Sequence, residues 1–385
     1  MNNSNPFLFA QDFTLALFVR GPVDATTKFF CAMMPEHVSA DPEPSHCDGQ
    51  CADSAAMPSL TRVPAESIWL QKTFRGKMGS RNYKIYVPTS YGREPLPMIV
   101  MLHGANQDPD DFAAGTRMNG LAEAARYIVV YPEQPQSANA ARCWNWFRPG
   151  DQIRESGEAA LIAELTREVM STYNADSTRI YVAGMSAGGA MAVNLAVTYP
   201  DLYAAAGIHS GLPYGIANDA FSAMSVMNHG STDFQFELLR KESEQRAYRP
   251  LIAFHGDQDN VVHPRNCDDL IRMNCTFAVS TQSASRQIST VATEDGIYGH
   301  TRSLSYDDEG GVVGEQWIIH GLDHAWSGGD SGGSYTDGNG PDASREMLRF
   351  FDSISLNTGG TGRSQPDRMV GVVFTSQHIS VRPDR

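Results

Sequence analysis

A serine set among small residues, Gly184-Met185-Ser186-Ala187-Gly188, is the part of this sequence best suited to covalent chemistry. A serine hydroxyl is a weak nucleophile. It needs an adjacent base, and the base needs an orienting carboxylate. Two downstream stretches supply both: His255-Gly256-Asp257-Gln258-Asp259-Asn260-Val261-Val262, then His320-Gly321-Leu322-Asp323-His324-Ala325-Trp326. Asp259 is expected as the acid, because the tight turn at Gly256-Asp257 should use Asp257 for local backbone capping. His324 is expected as the base, because it lies on a loop beyond a strand. His320 falls at the strand end and is expected to be packed or hydrogen-bonded. The developing oxyanion needs two backbone N–H donors. Ala187, the residue after the nucleophile, offers one, and Ala105 in His103-Gly104-Ala105 offers the other.

Those residues need elements that deliver them to one place. Arg179–Ala183 reads as a strand and Gly188–Thr198 as a helix, so Ser186 sits in the strand-to-helix turn that a nucleophile elbow requires. Short apolar runs at Pro97–Leu102, Tyr127–Tyr131, Ala204–Ile208, Leu251–His255 and Gln316–Ile319 read as buried strands. Ser67–Phe74 and Asn82–Val87 read as a further pair. Phe112–Ala125, Glu158–Tyr173 and Ser344–Phe351 read as helices. Strands alternating with helices predict an α/β fold with a mostly parallel central sheet, helices on both faces and the site at the strands' carboxyl ends. One catalytic domain is expected over residues 63–355, between an N-terminal extension and linker (1–62) and a tail (356–385). Trp144 and Trp146 fall in a loop at that functional edge, where such a cluster either packs into the core or lines the substrate pocket. The pocket is favoured because the loop follows a strand at that edge, with Trp326 as a further candidate wall.

Composition narrows the class. The chain has 385 residues, with 30 Lys+Arg against 44 Asp+Glu for a formal net charge of −14. That balance argues against nucleic acid or an anionic membrane as partner. It does not by itself choose a small or oligomeric ester, or any other small molecule, as the ligand. No run is long and apolar enough for a transmembrane helix. Phe7–Val19 is apolar-rich, but Gln11 and Asp12 interrupt it and no Lys or Arg precedes it, so it fails as a signal peptide. A cytoplasmic chain is therefore expected, with an extracellular one as the alternative. The six cysteines, Cys31, Cys47, Cys51, Cys143, Cys267 and Cys275, are too sparse for a disulfide scaffold. His46, Cys47, Asp48 and Cys51 make only a partial ligand set, so neither a metal nor any other cofactor is expected.

Taken together, these stretches resemble the poly(3-hydroxybutyrate) depolymerase family of α/β-hydrolase esterases, which includes feruloyl and acetylxylan esterases. The matching stretches are Tyr86–Pro88, Met101–Gly104, Asp110–Asn119, Tyr131-Pro132, Cys143–Phe147, Gly157-Glu158, Arg179–Gly189, His209–Gly215, His255–Val262, His324–Gly329 and Pro341–Ser344. The resemblance implies a serine esterase with Ser186, Asp259 and His324 as triad, acting through an acyl-enzyme on polyhydroxybutyrate-type polyesters or their oligomers. Plant-wall acyl esters are the alternative substrates, and a serine peptidase or a non-catalytic binding protein of the same fold are the other readings. Members of the family often carry Cys where this chain has Ala105, and Gly where it has Asp323. The first change leaves the backbone donor in place and removes a possible partner for Cys143. The second sets a carboxylate beside the base, where it is expected to raise the base's pKa.

Overall fold

The computed structural model describes residues 66–232, 249–278, 285–294 and 296–356. The expectations for residues 1–62, including Cys31, His46, Cys47 and Cys51, lie outside the described residues, as do those for the tail beyond Leu356.

Ten strands form one sheet. In chain order they are β1 (Ile68–Gly76), β2 (Gly79–Val87), β3 (Leu96–Leu102), β4 (Ile128–Pro132), β5 (Ala175–Met185), β6 (Ala205–His209), β7 (Leu251–Gly256), β8 (Ser285–Val291), β9 (His300–Tyr306) and β10 (Val312–Ile319). Their spatial order is β1-β2-β4-β3-β5-β6-β7-β10-β9-β8. The six central strands from β4 to β10 are mutually parallel, and an antiparallel pair closes each edge.

Period-2 geometry sends alternate side chains of the central strands to opposite layers. In β3, Met98, Val100 and Leu102 enter one apolar layer, while Ile99 and Met101 enter the other. In β5 the division is Ile180 and Val182 against Tyr181, Ala183 and Met185. Helices α1 (Pro109–Thr116), α2 (Met118–Ala125) and α7 (Ala343–Asp352) cover the second layer through Phe112, Met118, Met347 and Phe351. Helices α3 (Gly157–Thr172), α4 (Ala187–Thr198), α5 (Ala220–His229) and α6 (Arg265–Ala278) cover the first through Leu161, Met191, Ala223 and Leu270. A two-residue pair, β11 (Trp326–Ser327) and β12 (Thr336–Asp337), stands apart from the main sheet.

The expected helix over 112–125 is two helices. Arg117 adopts a left-handed conformation (φ 53°) that ends α1 and starts α2. The sheet topology also locates the site. The chain leaves β3 for β4 on one side and returns to β5 on the other, so the carboxyl ends of β3 and β5 diverge. A crevice opens at such a switch point. Among the described residues, no helix is long and apolar enough to cross a membrane.

Candidate active site

Ser186 sits between the end of β5 and the first turn of α4, with φ 54° and ψ −119°. A side-chain-bearing residue rarely holds a positive φ, so the surroundings must impose it. They do so by close backbone approach. A Cβ on Gly188 would overlap the Leu102 carbonyl oxygen, and one on Gly184 would overlap that of Gly188. Only glycine lets the turn press against the end of β3. The Ser186 N–H donates to the His209 carbonyl at 2.8 Å, which fixes the turn to the end of β6. Among the described residues, Ser186 Oγ has no hydrogen-bond partner, consistent with a site whose bonds tighten on substrate.

The expected acid and base, Asp259 and His324, lie on the loops that follow two adjacent parallel strands. β7 and β10 pair directly, and the loops beyond them are tied by Asp257 N–H to the Ile319 carbonyl and Gln258 N–H to the Leu322 carbonyl, each 3.0 Å. Gly256 is required there, since a Cβ would overlap the Leu322 carbonyl oxygen. The structure brings Asp259 and His324 together, with His324 Nδ1 2.7 Å from Asp259 Oδ2. Burial opposes the Asp259 charge, yet His324 and His255 outweigh it and hold the carboxyl far below the usual range.

The two aspartates divide the capping differently from expectation. Asp257 does not cap its own turn: it accepts from Gly321 N–H at 2.8 Å and bonds His320 Nδ1 at 3.1 Å. Asp259 Oδ1 caps the local turn, accepting from Val261 and Val262 N–H at 2.9 and 2.8 Å. A carboxylate has two oxygens, so Asp259 serves the turn with one and the imidazole with the other. His320 is hydrogen-bonded as expected, with Nε2 on Thr301 Oγ1 at 3.0 Å. The Asp323 carboxylate caps the backbone N–H of His324 at 2.8 Å instead of meeting its ring.

Ala187, in the elbow itself, and Ala105, in the loop after β3, are both buried. Among the described residues, neither N–H is donated to a protein acceptor. The peptide between Gly104 and Ala105 is oriented by its carbonyl, which accepts from His103 Nδ1–H at 2.8 Å and from Gln107 N–H at 3.3 Å. In a trans peptide the N–H points opposite the C=O, so this grip aims the Ala105 donor. Sequence reasoning missed His209. Its backbone holds Ser186, and its Nε2 accepts from Ser327 N–H at 3.0 Å, so one residue ties the elbow to the loop carrying His324. The sequence signals for it are a histidine at the end of a buried strand and the place of His209–Gly215 among the stretches that resemble the family.

The expectation that Trp144, Trp146 and Trp326 line a pocket is corrected. They are 0%, 2% and 1% exposed. Trp144 donates its indole N–H to the His103 carbonyl at 3.0 Å, and Trp326 donates to Ser344 Oγ at 3.1 Å while packing edge-on against Phe112. An indole that finds a buried acceptor, as those of Trp144 and Trp326 do, turns inward and packs like core. Trp144→Ala should therefore cost about 3–5 kcal/mol of stability. The relative kcat/KM across an ester chain-length series should stay unchanged, and a changed profile with parental melting temperature would restore the pocket reading. Cys143, Cys267 and Cys275 are free thiols. Among the described residues, no group of three or more His, Cys, Asp or Glu is arranged to hold a metal ion.

Two buried histidines near the site are held neutral. Burial lowers His103 to about 4 and His209 to about 3. In each, Nε2 accepts a backbone N–H, which requires an unprotonated nitrogen. Their folded values lie below the unfolded value of about 6.5, so the unfolded chain binds two more protons through them across roughly pH 4–6.5. Asp151 acts in the opposite sense, because burial and then Glu158 raise it to about 6. His255, raised to about 9 by Asp259 and Cys267 against its burial, is protonated in both states over this range and contributes nothing there. The net effect of these groups is one proton. Stability should fall as pH drops from 6.5 to 4, by about 1.4 kcal/mol per pH unit for that proton. Urea unfolding at a series of pH values measures the slope, and a flat or inverted profile would contradict the neutral assignment.

Six central parallel strands, helices on both faces and a strained serine turn at the switch point define an α/β-hydrolase fold. The family model described as "Esterase PHB depolymerase" matches residues 81–290, and the chain belongs to that family. Poly(3-hydroxyalkanoate) depolymerase C of Paucimonas lemoignei is 30% identical over 277 residues, covering 70% of this chain and 65% of the relative's length. Feruloyl esterase B of Thermothelomyces thermophilus is 29% identical over 199 residues, covering 49% of this chain and 67% of its own. The chain thus spans about two thirds of the length of the curated relatives it matches. Among solved structures, the acetyl xylan esterase from Aspergillus awamori shares the fold, with a TM-score of 0.56, 21% identity, and coverage of 67% of this chain and 94% of that one.

Proposed function

We propose that the protein is a serine carboxylic ester hydrolase, with Ser186 as nucleophile, His324 as base, Asp259 as the orienting acid, and Ala105 and Ala187 N–H as the oxyanion hole. The observation that carries this reading is the 2.7 Å Asp259–His324 pair at the same sheet edge as the strained Ser186 turn. With Nδ1–H donated to Asp259, His324 presents the Nε2 lone pair. That lone pair takes the Ser186 Oγ proton as Oγ adds to the ester carbonyl carbon. The carbonyl oxygen becomes an oxyanion between two backbone N–H groups that are already desolvated and unpaired. His324 then returns the proton to the departing alkoxide. Water repeats the sequence on the acyl-enzyme and releases the acid.

We assign hydroxyalkanoate esters or their oligomers as substrate, because the P. lemoignei relative is named a poly(3-hydroxyalkanoate) depolymerase. A plant-wall acyl ester is the second reading, favoured by the relative named feruloyl esterase B. Purified protein should be assayed on 3-hydroxybutyrate oligomers, methyl ferulate, acetylated xylan, a peptide amide and p-nitrophenyl esters. Fastest turnover of the oligomers is expected. Faster release of ferulate or acetate would move the assignment to the second reading, and cleavage of the amide alone would make the protein a peptidase. No turnover, with no labelling of Ser186 by a serine-directed phosphonate, would leave a non-catalytic binding protein.

A further inference from the structure

We infer that His255 is a positioning residue for the reaction, a second imidazole that holds the Asp259 carboxylate in the orientation His324 requires; this rests on the triad proposed above. His255 lies one residue before the end of β7 and is completely buried. Its Nε2 is 2.7 Å from the Val262 carbonyl oxygen, which can only accept, so that nitrogen carries a hydrogen. The same nitrogen is 3.2 Å from Asp259 Oδ2, the oxygen that also faces His324 Nδ1 at 2.7 Å. Oδ1 is occupied by the Val261 and Val262 N–H groups.

The carboxylate is thus held at Oδ1 by two backbone donors and at Oδ2 by His324 and by the His255 Nε2–H that it shares with the Val262 carbonyl. Rotation about its terminal bond would break the backbone pair and pull Oδ2 away from both rings. His255 also ties the turn to itself, because Val262 supplies an N–H to Asp259 and a carbonyl to His255. Without His255, Oδ2 would be fixed only by the imidazole it is meant to orient. The Val261 and Val262 N–H groups would still hold Oδ1, but nothing other than His324 would resist a swing of Oδ2 about that anchor. The role is distinct from catalysis proper, since the polar contacts of His255 Nε2 are to the Val262 carbonyl and Asp259 Oδ2 and not to Ser186.

The conservative variant separates positioning from mere packing. Gln places its amide nitrogen near the position of imidazole Nε2, whereas Asn stops short and Leu has no donor. His255→Leu should lower kcat about 10- to 100-fold with KM within about threefold, the signature of a misaligned catalytic group. It should also weaken the low-field proton resonance of the His324–Asp259 hydrogen bond. His255→Gln should recover kcat to within about threefold of the parent and restore that resonance. If His255→Leu fails to fold, His255→Asn takes its place, with the same expected loss. A folded Leu or Asn variant with parental kcat and resonance would overturn the inference, as would a Gln variant equally impaired. His324→Asn is the control. If it retains activity, the triad reading itself is wrong; if it is inactive while the His255 variants are parental, only the role of His255 is wrong.

Discussion

Ser186→Ala is expected to abolish ester turnover, leaving only what the oxyanion donors and substrate binding supply, about 10³–10⁴ over the uncatalysed reaction. The loss is large because nothing else at the elbow can take the acyl group. Of the buried hydroxyls nearby, Ser210 is 3.2 Å from His209 Nδ1 and Ser327 Oγ donates to the Pro341 carbonyl at 2.7 Å. The fold should survive. Ser186 Oγ makes no bond to lose among the described residues, and the backbone bond from Ser186 N–H to the His209 carbonyl does not depend on the side chain. Alanine must still adopt the positive φ of the turn, which keeps any change in melting temperature small and of backbone origin. Steady-state hydrolysis of p-nitrophenyl acetate, pre-steady-state burst amplitude and phosphonate labelling measure the outcome together. A variant with more than about one tenth of parental kcat would remove Ser186 from the mechanism.

Much of this architecture is legible in the sequence, for reasons visible in particular elements. All seven residues of β3 are buried, so a parallel central strand reads as an unbroken apolar run. The Gly184–Gly188 turn is legible because close approach to Leu102 excludes every other residue at two positions. The opposite holds for β8, where all seven residues are exposed and no alternation exists to be read. Helix α6 was hidden for a different reason. Asn266, Asp269 and Asn274 are buried within it, and their side chains bond the Val226 carbonyl, the Ser231 N–H and the Val313 carbonyl, so polar residues interrupt its apolar stripe. The tryptophans misled for a related cause. An aromatic cluster in a loop gives no sign of which way it faces, and the deciding feature for Trp144 is a carbonyl at His103, 41 residues away. At the site, residue type and position beyond the strand ends point to Asp259 and His324, which the structure places 2.7 Å apart. Turn capping nonetheless fails as the reason to prefer Asp259 over Asp257, because Asp257 bonds Gly321 and His320 while one Asp259 carboxylate both caps the turn and meets His324.

Asp259→Asn is expected to cost on the order of 10⁴ in kcat, and the local geometry says why. The Val261 and Val262 N–H groups both point at Oδ1, so the asparagine carbonyl oxygen must occupy that place. Its NH₂ then faces the two imidazoles. Toward His324 it donates to Nδ1, which moves the ring proton to Nε2 and leaves no lone pair to take the Ser186 proton. Toward His255 it sets donor against donor, because Nε2–H of that ring is fixed by the Val262 carbonyl. Flipping the amide would relieve the rings but oppose two backbone donors, so the unproductive tautomer is the lower-energy choice. Asp257→Asn provides the contrast. Asp257 bonds Gly321 N–H and His320, neither of which meets the reacting atoms, so kcat should stay within a few-fold while the loop loses about 1 kcal/mol of support. Measuring kcat and melting temperature for both variants decides between them. If Asp257→Asn proved the inactive variant and Asp259→Asn the active one, the acid in this site would be Asp257, and His320 would have to replace His324 as its base.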